Sequence, residues 1–177
     1  ALISILWETG ARIGEIGNLT IGDITKDPHG YILDLDGKTG KRTPLIVWSA
    51  PALSTWLNNH PNPKNHDAPL WTQYRYAQDP TPITYPTIAG LLRRHVAHAG
   101  FTKRVHAHLF RHSRATYVLA NGIMSEGQAK VYFGWTPDTA MLSTYSHLTS
   151  HDANNAVLKE HGIAPPTTIP DGLTTTL

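Results

Sequence analysis

The segment HAHLFRHSRAT, residues 106–116, brings three histidines and two arginines together at the expected start of a helix. His108 and His112 lie four residues apart, so a helix places both imidazoles on one face, as in some zinc sites. Arg111 follows His108 by three residues, so the same turn could present a guanidinium and an imidazole to phosphate oxygens. This segment alone therefore predicts either a metal site or a phosphate site, unless its histidines and arginines only cap or cover the surface of the helix.

A metal site is the weaker of these two interpretations. Leu109 occupies the position that carries the general-base glutamate in H-E-x-x-H zinc proteases. No Asp or Glu stands nearby in the sequence to act as a third ligand or to hold a ligating histidine. The neighbouring arginines would also repel a dication. We therefore expect no metal and no other cofactor.

The distribution of charge favours a polyanionic partner. The chain has 177 residues and a formal net charge of +2, but no carboxylate lies between Asp79 and Glu126. That stretch holds six basic residues and five histidines: Arg93, Arg94, Lys103, Arg104, Arg111, Arg114, His95, His98, His106, His108 and His112. A long stretch of one sign predicts contact with nucleic acid, and a solvated basic surface is the alternative.

Composition restricts the compartment and the class of protein. Cysteine is absent, which excludes disulfides and cysteine-ligated zinc and is typical of a reducing compartment. There is no run of eighteen apolar residues and no charged-then-apolar leader, so we expect no membrane span and no signal peptide. The prediction is a cytoplasmic protein. Because the chain opens on ALISILWETG without Met, we also expect it to be a fragment of a longer protein.

The elements that must position the charged residues are mostly helical. Apolar residues at helical spacing predict a helix from residue 2 to about 18, weakened by Gly10, in which Arg12 and Glu15 share a face. The segment YILDLDGKTGKRTPLIVW predicts a β-hairpin with Lys38 at or beside its turn. Further helices are expected over 49–59 with Ser49 as a cap, from 84 to Gly100, and over 107–121, 126–133 and 138–147.

These elements predict an α+β fold, mostly helical with a small antiparallel sheet. We assign residues 1–160 to one domain. Residues 161–177 form a tail with little to pack, which we expect to be extended or held by a partner.

Three sequence motifs and a hairpin lysine occur in a characteristic order. T-G-A-R-I-G-E contains Arg12, H-L-F-R-H contains His108 and Arg111, and Y-S-H begins at Tyr145, with Lys38 between the first two. In this order the motifs closely resemble the catalytic domain of the tyrosine recombinase (phage integrase and Xer) family, over about residues 1–150. The resemblance implies the catalytic fold of that family and a DNA strand transferase. It also implies that the family's N-terminal DNA-clamping domain is absent from this chain.

The resemblance assigns a catalytic set residue by residue. Arg12 and Arg111 match the two phosphate-clamping arginines, and His108 matches the histidine of the H-x-x-R motif. Lys38 matches the lysine of the hairpin turn, with Lys41 as the nearby rival. Tyr145 matches the nucleophile. The remaining member of the set is Trp135.

Trp135 stands where Xer-like relatives usually carry histidine shortly before the nucleophile. An indole cannot carry a proton as an imidazole does, but it keeps an N–H donor and a large packing surface.

Other residues are expected to support this set or to bind DNA. Glu15 matches an acidic residue that the family often carries, and we interpret it as an orienting partner for Arg12 or for the helix that carries His108 and Arg111. His112 is interpreted as a core or network histidine. The predicted DNA contacts are Arg93, Arg94, Lys41 and Arg42.

The reaction implied by the resemblance is transfer of a DNA strand to Tyr145, giving a 3′-phosphotyrosyl link and a free 5′ hydroxyl. The link conserves the bond energy, so the reaction is expected to need neither ATP nor metal. The implied partner is double-stranded DNA, bound by a homo-tetramer with the tail packed on a neighbouring protomer, or by a monomer if the domain is isolated. In the cell this places the protein at the nucleoid. The alternatives are relaxation of DNA as by a type IB topoisomerase, and a catalytically impaired DNA-binding relative.

Overall fold

The computed structural model describes residues 1–37, 40–73, 81–102, 104–135 and 150–164. Within these ranges the chain forms helices and short strands, with one turn of 3-10 helix at Ile21–Asp23. The α-helices are α1 (Leu2–Thr9), α2 (Ile13–Gly17), α3 (Ala50–Asn58), α4 (Tyr85–His98), α5 (Ala107–Ala120), α6 (Glu126–Phe133) and α7 (Ser150–Glu160). The strands are β1 (Ile24–Asp27), β2 (Gly30–Leu33), β3 (Leu35–Gly37), β4 (Gly40–Arg42) and β5 (Leu45–Ile46). The predicted α+β class is confirmed.

The strands form two small antiparallel units. One sheet has the order β1-β2-β5, with Tyr31 opposite Ile46. The other is the β3–β4 hairpin, in which Leu35 pairs with Arg42 and Gly37 with Gly40. The predicted hairpin is confirmed, while its turn, with Lys38, lies outside the described residues. Strand β1 was not predicted, because its mostly polar sequence ITKD shows little apolar alternation.

The first predicted helix is in fact two helices. Gly10 adopts a left-handed conformation with φ 54°, and its N–H donates to the carbonyl of Leu6, which ends α1. Helix α2 then begins after Arg12, whose backbone N–H donates to the carboxylate of Glu15 at 2.8 Å. The prediction of one continuous helix is wrong, because this glycine terminates the helix and turns the chain.

Replacing Gly10 with alanine is expected to destabilise the fold by about 2–5 kcal/mol. A left-handed conformation costs an L-residue roughly 1–2 kcal/mol, and overpacking adds roughly 1–3 kcal/mol. The overpacking arises because the new Cβ would lie 2.6 Å from Cε1 of Phe133. Urea denaturation measures the change.

The matched control for this substitution is Gly122→Ala. Gly122 has a similar φ of 63°, but no atom lies within 4 Å of a Cβ built there. The difference between the two variants isolates the contact with Phe133. Equal losses of stability would contradict that contact.

The later helices confirm most of the expected pattern. Helices α3 to α6 lie where periodicity predicted them. Ser49 does precede α3, but its side chain donates to the buried carboxylate of Glu8 and makes no cap bond. The expected helix over 138–147 and the tail beyond residue 164 lie outside the described residues. Helix α7 was not predicted, although its buried residues Ala153, Ala156 and Val157 have helical spacing.

Three groups of buried side chains hold the elements together. The largest packs α1, α2 and α3 against the strands, around Leu6, Ile16 and Leu33. A second packs α5, α6 and α7 around Phe133, and a third packs α4 against α5 through Ile88. The groups place the start of α5 beside the α1–α2 turn and the end of α6. No helix in the described ranges is long and apolar enough to cross a membrane.

Candidate active site

Three residues of the predicted catalytic set face one open cavity of about 710 Å³. Arg12 reaches it from the start of α2, and His108 and Arg111 reach it from the first turns of α5. The described lining contains cations and imidazoles but no carboxylate: Ala11, Arg12, Ile13, Tyr85, Arg104, His106, Ala107, His108 and Arg111. A cavity of this size and lining suits an anionic ligand larger than a single phosphate group.

Arg111 is held rigidly at the floor of this cavity. It is only 6% exposed, and its Nη1 donates to the carbonyl of Gly10 at 3.0 Å while Nη2 donates to the carbonyl of Phe133 at 2.5 Å. Its guanidinium also lies over the Phe133 ring, 5.7 Å from the ring centre. Burial, followed by the charges of Arg12 and Arg42, lowers the pKa of Arg111 to about 10. Arg111 therefore stays charged at neutral pH in a fixed orientation.

Arg12 is oriented by a buried carboxylate. Its Nη1 donates to Glu15 Oε1 at 2.8 Å, and its own side chain is 35% exposed at the cavity. Burial by itself would raise the pKa of Glu15, but the charge of Arg42 and hydrogen bonds from Arg12 outweigh it and lower that pKa. An ionised Glu15 therefore fixes Arg12 while leaving part of its guanidinium at the cavity. Glu15 thus contacts Arg12 directly, and its orienting role in catalysis stays a prediction.

Arg42 does not lie where a DNA-contacting residue should lie. It is 5% exposed, and its guanidinium donates to Glu15 Oε2 and to the carbonyl of Tyr132, both at 2.7 Å. The prediction of a DNA contact for Arg42 is wrong, because strand β4 directs this side chain inward. Lys41, its neighbour on the same strand, is exposed.

Arginines outnumber carboxylates among the described charged groups that act on Arg111. Among the described residues, the charges that act most on Arg111 are those of two other arginines, Arg12 and Arg42, and of one carboxylate, Glu15. Three positive charges against one negative charge leave an excess of two positive charges in this group. Because part of the group is buried, this excess is weakly screened and favours binding of an anion.

His108 and His112 pack against each other on the exposed face of α5. Their ring centres lie 4.8 Å apart with the planes nearly perpendicular, which is an edge-to-face contact. Across the ranges that the structure describes, no group of three His, Cys, Asp or Glu side chains could hold a metal ion. His108 faces the cavity, whereas His112 is exposed and is not part of its lining. The prediction of a core histidine at His112 is therefore wrong, and its described contact is with the ring of His108.

The pKa of His108 is expected to lie below the ordinary histidine value of about 6.5. Partial withdrawal from water, and then the positive charges of His112, Arg111, His106 and Arg12, disfavour its protonated form. The ring should therefore stay neutral as the pH falls from 7 and gain its proton only below that ordinary value.

Nitrogen-15 NMR titration of the histidine rings measures this pKa, and His108→Asn assigns the signal. A His108 signal that titrates at or above pH 6.5 would contradict the expected direction.

Trp135 lies at the end of α6, beside the floor of the site. Its ring stacks on Phe133 at 5.2 Å between centres, and Phe133 in turn contacts Arg111. Gly134, with φ 59°, ends the helix just before it. Lys38 and Tyr145 lie outside the described residues, so the full catalytic set stays a prediction.

The remaining predicted DNA contacts lie on the surface. Arg93 and Arg94 are exposed on α4, where they line a shallow open depression with Thr87 and Gly90. This depression shares no lining residue with the active-site cavity. Contact of DNA with these arginines stays a prediction.

Tyr85 and Arg104 also line the cavity, although sequence reasoning gave neither a site role. Tyr85, the first residue of α4, is 65% exposed at the cavity, and Arg104 lines it from the segment before α5. Arg104 belongs to the carboxylate-free stretch, so charge counting gave a weak signal for it. Tyr85 gave none, because an aromatic residue at the start of a helix is ordinary.

The comparison with known proteins identifies the family. The model of the phage integrase family matches residues 1–151. Tyrosine recombinase XerC of Listeria monocytogenes serotype 4b (strain F2365) is 25% identical over 166 residues, covering 90% of this chain and 53% of XerC. XerC of Bacillus subtilis (strain 168) is 24% identical over 167 residues, covering 91% of this chain and 53% of XerC. The chain thus spans about half the length of these curated relatives.

Solved structures agree in fold. The crystal structure of XerA recombinase superposes with a TM-score of 0.64 at 25% identity, covering 90% of this chain and 55% of XerA. XerH site-specific recombinase, in its pre-cleavage complex with the difH substrate, has a TM-score of 0.62 at 21% identity, covering 91% of this chain and 43% of XerH. Because the family model covers most of the sequence and the fold agrees, the chain belongs to the phage integrase family of tyrosine recombinases.

Proposed function

We propose that this chain is the catalytic domain of a site-specific DNA recombinase that cleaves and rejoins DNA through a 3′-phosphotyrosyl intermediate. The observation that carries the proposal is the convergence of Arg12, His108 and Arg111 on one cavity with an excess of positive charge. XerH was solved on its difH substrate, and the Tn1549 transposon integrase was solved with circular intermediate DNA, which supports double-stranded DNA as the partner.

The residues divide the chemistry among them. The hydroxyl oxygen of Tyr145 attacks the scissile phosphorus, forming a phosphotyrosyl bond as the bond from phosphorus to the 5′ oxygen breaks. A tyrosine hydroxyl has an ordinary pKa of about 10, so its proton must be accepted during attack, which is the role of neutral His108. Lys38, or Lys41 as its rival, protonates the departing 5′ oxygen.

Arg12 and Arg111 stabilise the charge that develops on the non-bridging oxygens. In the pentacoordinate state these oxygens carry more negative charge than in the starting phosphodiester. Donors fixed in advance at those positions therefore bind the transition state more tightly than the ground state. Arg111 suits this role because two backbone carbonyls fix its plane before DNA arrives.

The proposal extends to energy, assembly and location. Because the phosphotyrosyl link keeps the energy of the broken bond, attack by a 5′ hydroxyl rejoins the strand without ATP or metal. The recombining form is a homo-tetramer on DNA, and it acts in the cytoplasm at the nucleoid. Relaxation of DNA as by a type IB topoisomerase uses the same tyrosyl transfer, but no observation on this chain favours it.

Trapping a covalent complex tests the proposal. The chain is incubated in EDTA with a pool of nicked duplexes, randomised in sequence around the nick, so that the short 5′-hydroxyl fragment is lost after cleavage. Denaturing gels should show a protein–DNA adduct with the original chain and none with Tyr145→Phe. Tyr85→Phe is the matched control and should keep the adduct.

An adduct that persists in Tyr145→Phe, or that disappears in EDTA, would overturn the proposal. If the adduct depends on Tyr145, the DNA trapped in it can be sequenced to find the preferred cleavage site. With a plasmid carrying two copies of that site, exchange products support recombination, whereas relaxation without exchange supports the topoisomerase alternative.

A further inference from the structure

Arg42 joins three parts of the active-site region that are distant in sequence. It lies at the end of strand β4, and its Nη2 donates to Glu15 Oε2, on α2, at 2.7 Å. Its Nη1 donates at the same distance to the carbonyl of Tyr132, near the end of α6. The side chain is 4% exposed, and it is not part of the cavity lining. Arg42 can therefore affect the site only through the residues that it contacts, since it does not line the cavity where a ligand would bind.

Arg42 and Arg111 donate to neighbouring carbonyls at the end of α6. Arg42 donates to the carbonyl of Tyr132, and Arg111 donates to the carbonyl of the next residue, Phe133. The last carbonyls of a helix lack partners within the helix and carry partial negative charge, so cations stabilise them. Two buried guanidiniums thus hold the end of α6, from which the chain leads through Trp135 toward Tyr145.

We propose that Arg42 is a positioning residue of the active site, which aligns Arg12 through Glu15 and fixes the end of α6, where Arg111 is also anchored. This inference rests on the proposed function, since it assigns Arg42 a part in that reaction. It replaces the DNA contact that the sequence indicated for this residue.

The chemistry of the guanidinium explains why arginine occupies this position. A planar fork offers two separate nitrogens to two acceptors at once, whereas a lysine ammonium is a single point charge on a flexible stem. Arg42 Nε is buried and finds no hydrogen-bond partner among the described residues. A buried donor without a partner is unfavourable, so the hydrogen bonds that the other two nitrogens make must offset this cost.

Cleavage kinetics separate positioning from DNA binding. With a nicked duplex at saturating concentration, Arg42→Ala should cleave about 100-fold more slowly, the size expected when reacting groups are misplaced by about 1 Å. Arg42→Lys should fall between this variant and the original chain. Neither variant should change the dependence of DNA affinity on salt, because a buried Arg42 side chain is not placed to contact phosphate.

Matched controls make this result specific. Lys26→Ala removes the same charge from an exposed position on β1 and should leave cleavage unchanged. Millimolar guanidinium ion should restore part of the cleavage by Arg42→Ala, because it fits the space left by the side chain, and should not affect Lys26→Ala. Thermal denaturation establishes that each variant is folded, and Arg42→Lys is the milder variant if the alanine form does not fold.

A second measurement needs no DNA. The chain has only four glutamates, so carbon-13 labelling of their carboxyl groups allows each to be titrated by NMR. Arg42 is the main charge that lowers the pKa of Glu15, so that pKa should rise in Arg42→Ala and stay unchanged in Lys26→Ala.

The outcomes distinguish this inference from the proposed function. An adduct that does not depend on Tyr145 overturns the proposed function, while the titration of Glu15 still reports on Arg42. The positioning role would be overturned if Arg42→Ala cleaved DNA as fast as the original chain. It would also be overturned if Glu15 had the same pKa in Arg42→Ala and Lys26→Ala. In a third outcome, Arg42→Ala keeps the original cleavage rate at saturating DNA, but the slope of DNA affinity against salt concentration falls by about one phosphate contact. That result would make Arg42 a DNA-binding residue.

Discussion

Replacing Arg111 with lysine is expected to slow single-turnover DNA cleavage by about 100- to 1,000-fold, the range found when one fixed donor to a developing oxyanion is lost. Arg111 combines a charge with a fixed plane, because its Nη1 and Nη2 donate to the carbonyls of Gly10 and Phe133. A lysine keeps the charge but cannot satisfy both carbonyls and still offer a donor to phosphate in a set direction. Saturating nicked DNA should not restore the rate, since the lost interaction belongs to the transition state.

The matched control is Arg114→Lys, one turn later on the same helix. Arg114 is also buried, but it pairs with both carboxylate oxygens of Glu160 at 2.6 and 2.8 Å and is not part of the cavity lining. This variant should lose stability, and at a temperature where it is folded its cleavage should fall far less than that of Arg111→Lys. Equal losses of cleavage in the two variants would mean that Arg111 acts only through packing.

Replacing Glu8 with glutamine is expected to destabilise the fold by about 2–6 kcal/mol, from roughly 1–3 kcal/mol for each of two buried donors left without an acceptor. Glu8 is 2% exposed. Its Oε1 accepts from the N–H groups of Val47 and Trp48 at 2.6 and 2.9 Å, and its Oε2 accepts from the N–H of Ser49 at 2.7 Å and from the Ser49 hydroxyl. The amide nitrogen of glutamine would face two of these donors with donors of its own.

Urea denaturation measures this change, with Glu126→Gln as the control. Glu126 is an exposed glutamate in the first turn of α6, where loss of its charge should cost less than about 1 kcal/mol. A Glu8→Gln variant as stable as Glu126→Gln would show that the buried carboxylate contributes little to holding α1 against the segment before α3.

The cavity residues from α5 were predictable because their signal is local. His108 and Arg111 lie one turn apart, so a correct helix assignment was enough to place them on the same side. Arg12 required the family pattern, because no local rule brings the start of α2 beside α5. The α1–α2 turn at Gly10 is what achieves this, and periodicity alone interpreted that glycine as a weak point within one helix.

Arg42 and Tyr85 show what sequence reasoning missed. The positions of Lys41 and Arg42 in the hairpin look equivalent, but neighbouring residues of a strand point to opposite faces, and which face is buried depends on what packs on it. The buried Arg42 side chain donates to Glu15, 27 residues earlier, and to the carbonyl of Tyr132, 90 residues later. Tyr85 reaches the cavity only through the packing of α4 against α5, which is a tertiary relationship without a motif.

The most direct test of the central claim is to identify the residue that carries the DNA. Trypsin digestion of the trapped adduct should release the peptide 131–159, which contains two tyrosines, Tyr132 and Tyr145. Tyr132 is a poor candidate, because it is buried, donates to the carbonyl of Glu8, and has its pKa raised chiefly by burial. Fragmentation by mass spectrometry should place the phosphate-linked nucleotide on Tyr145. A nucleotide on Tyr85 or on any other residue would contradict the account.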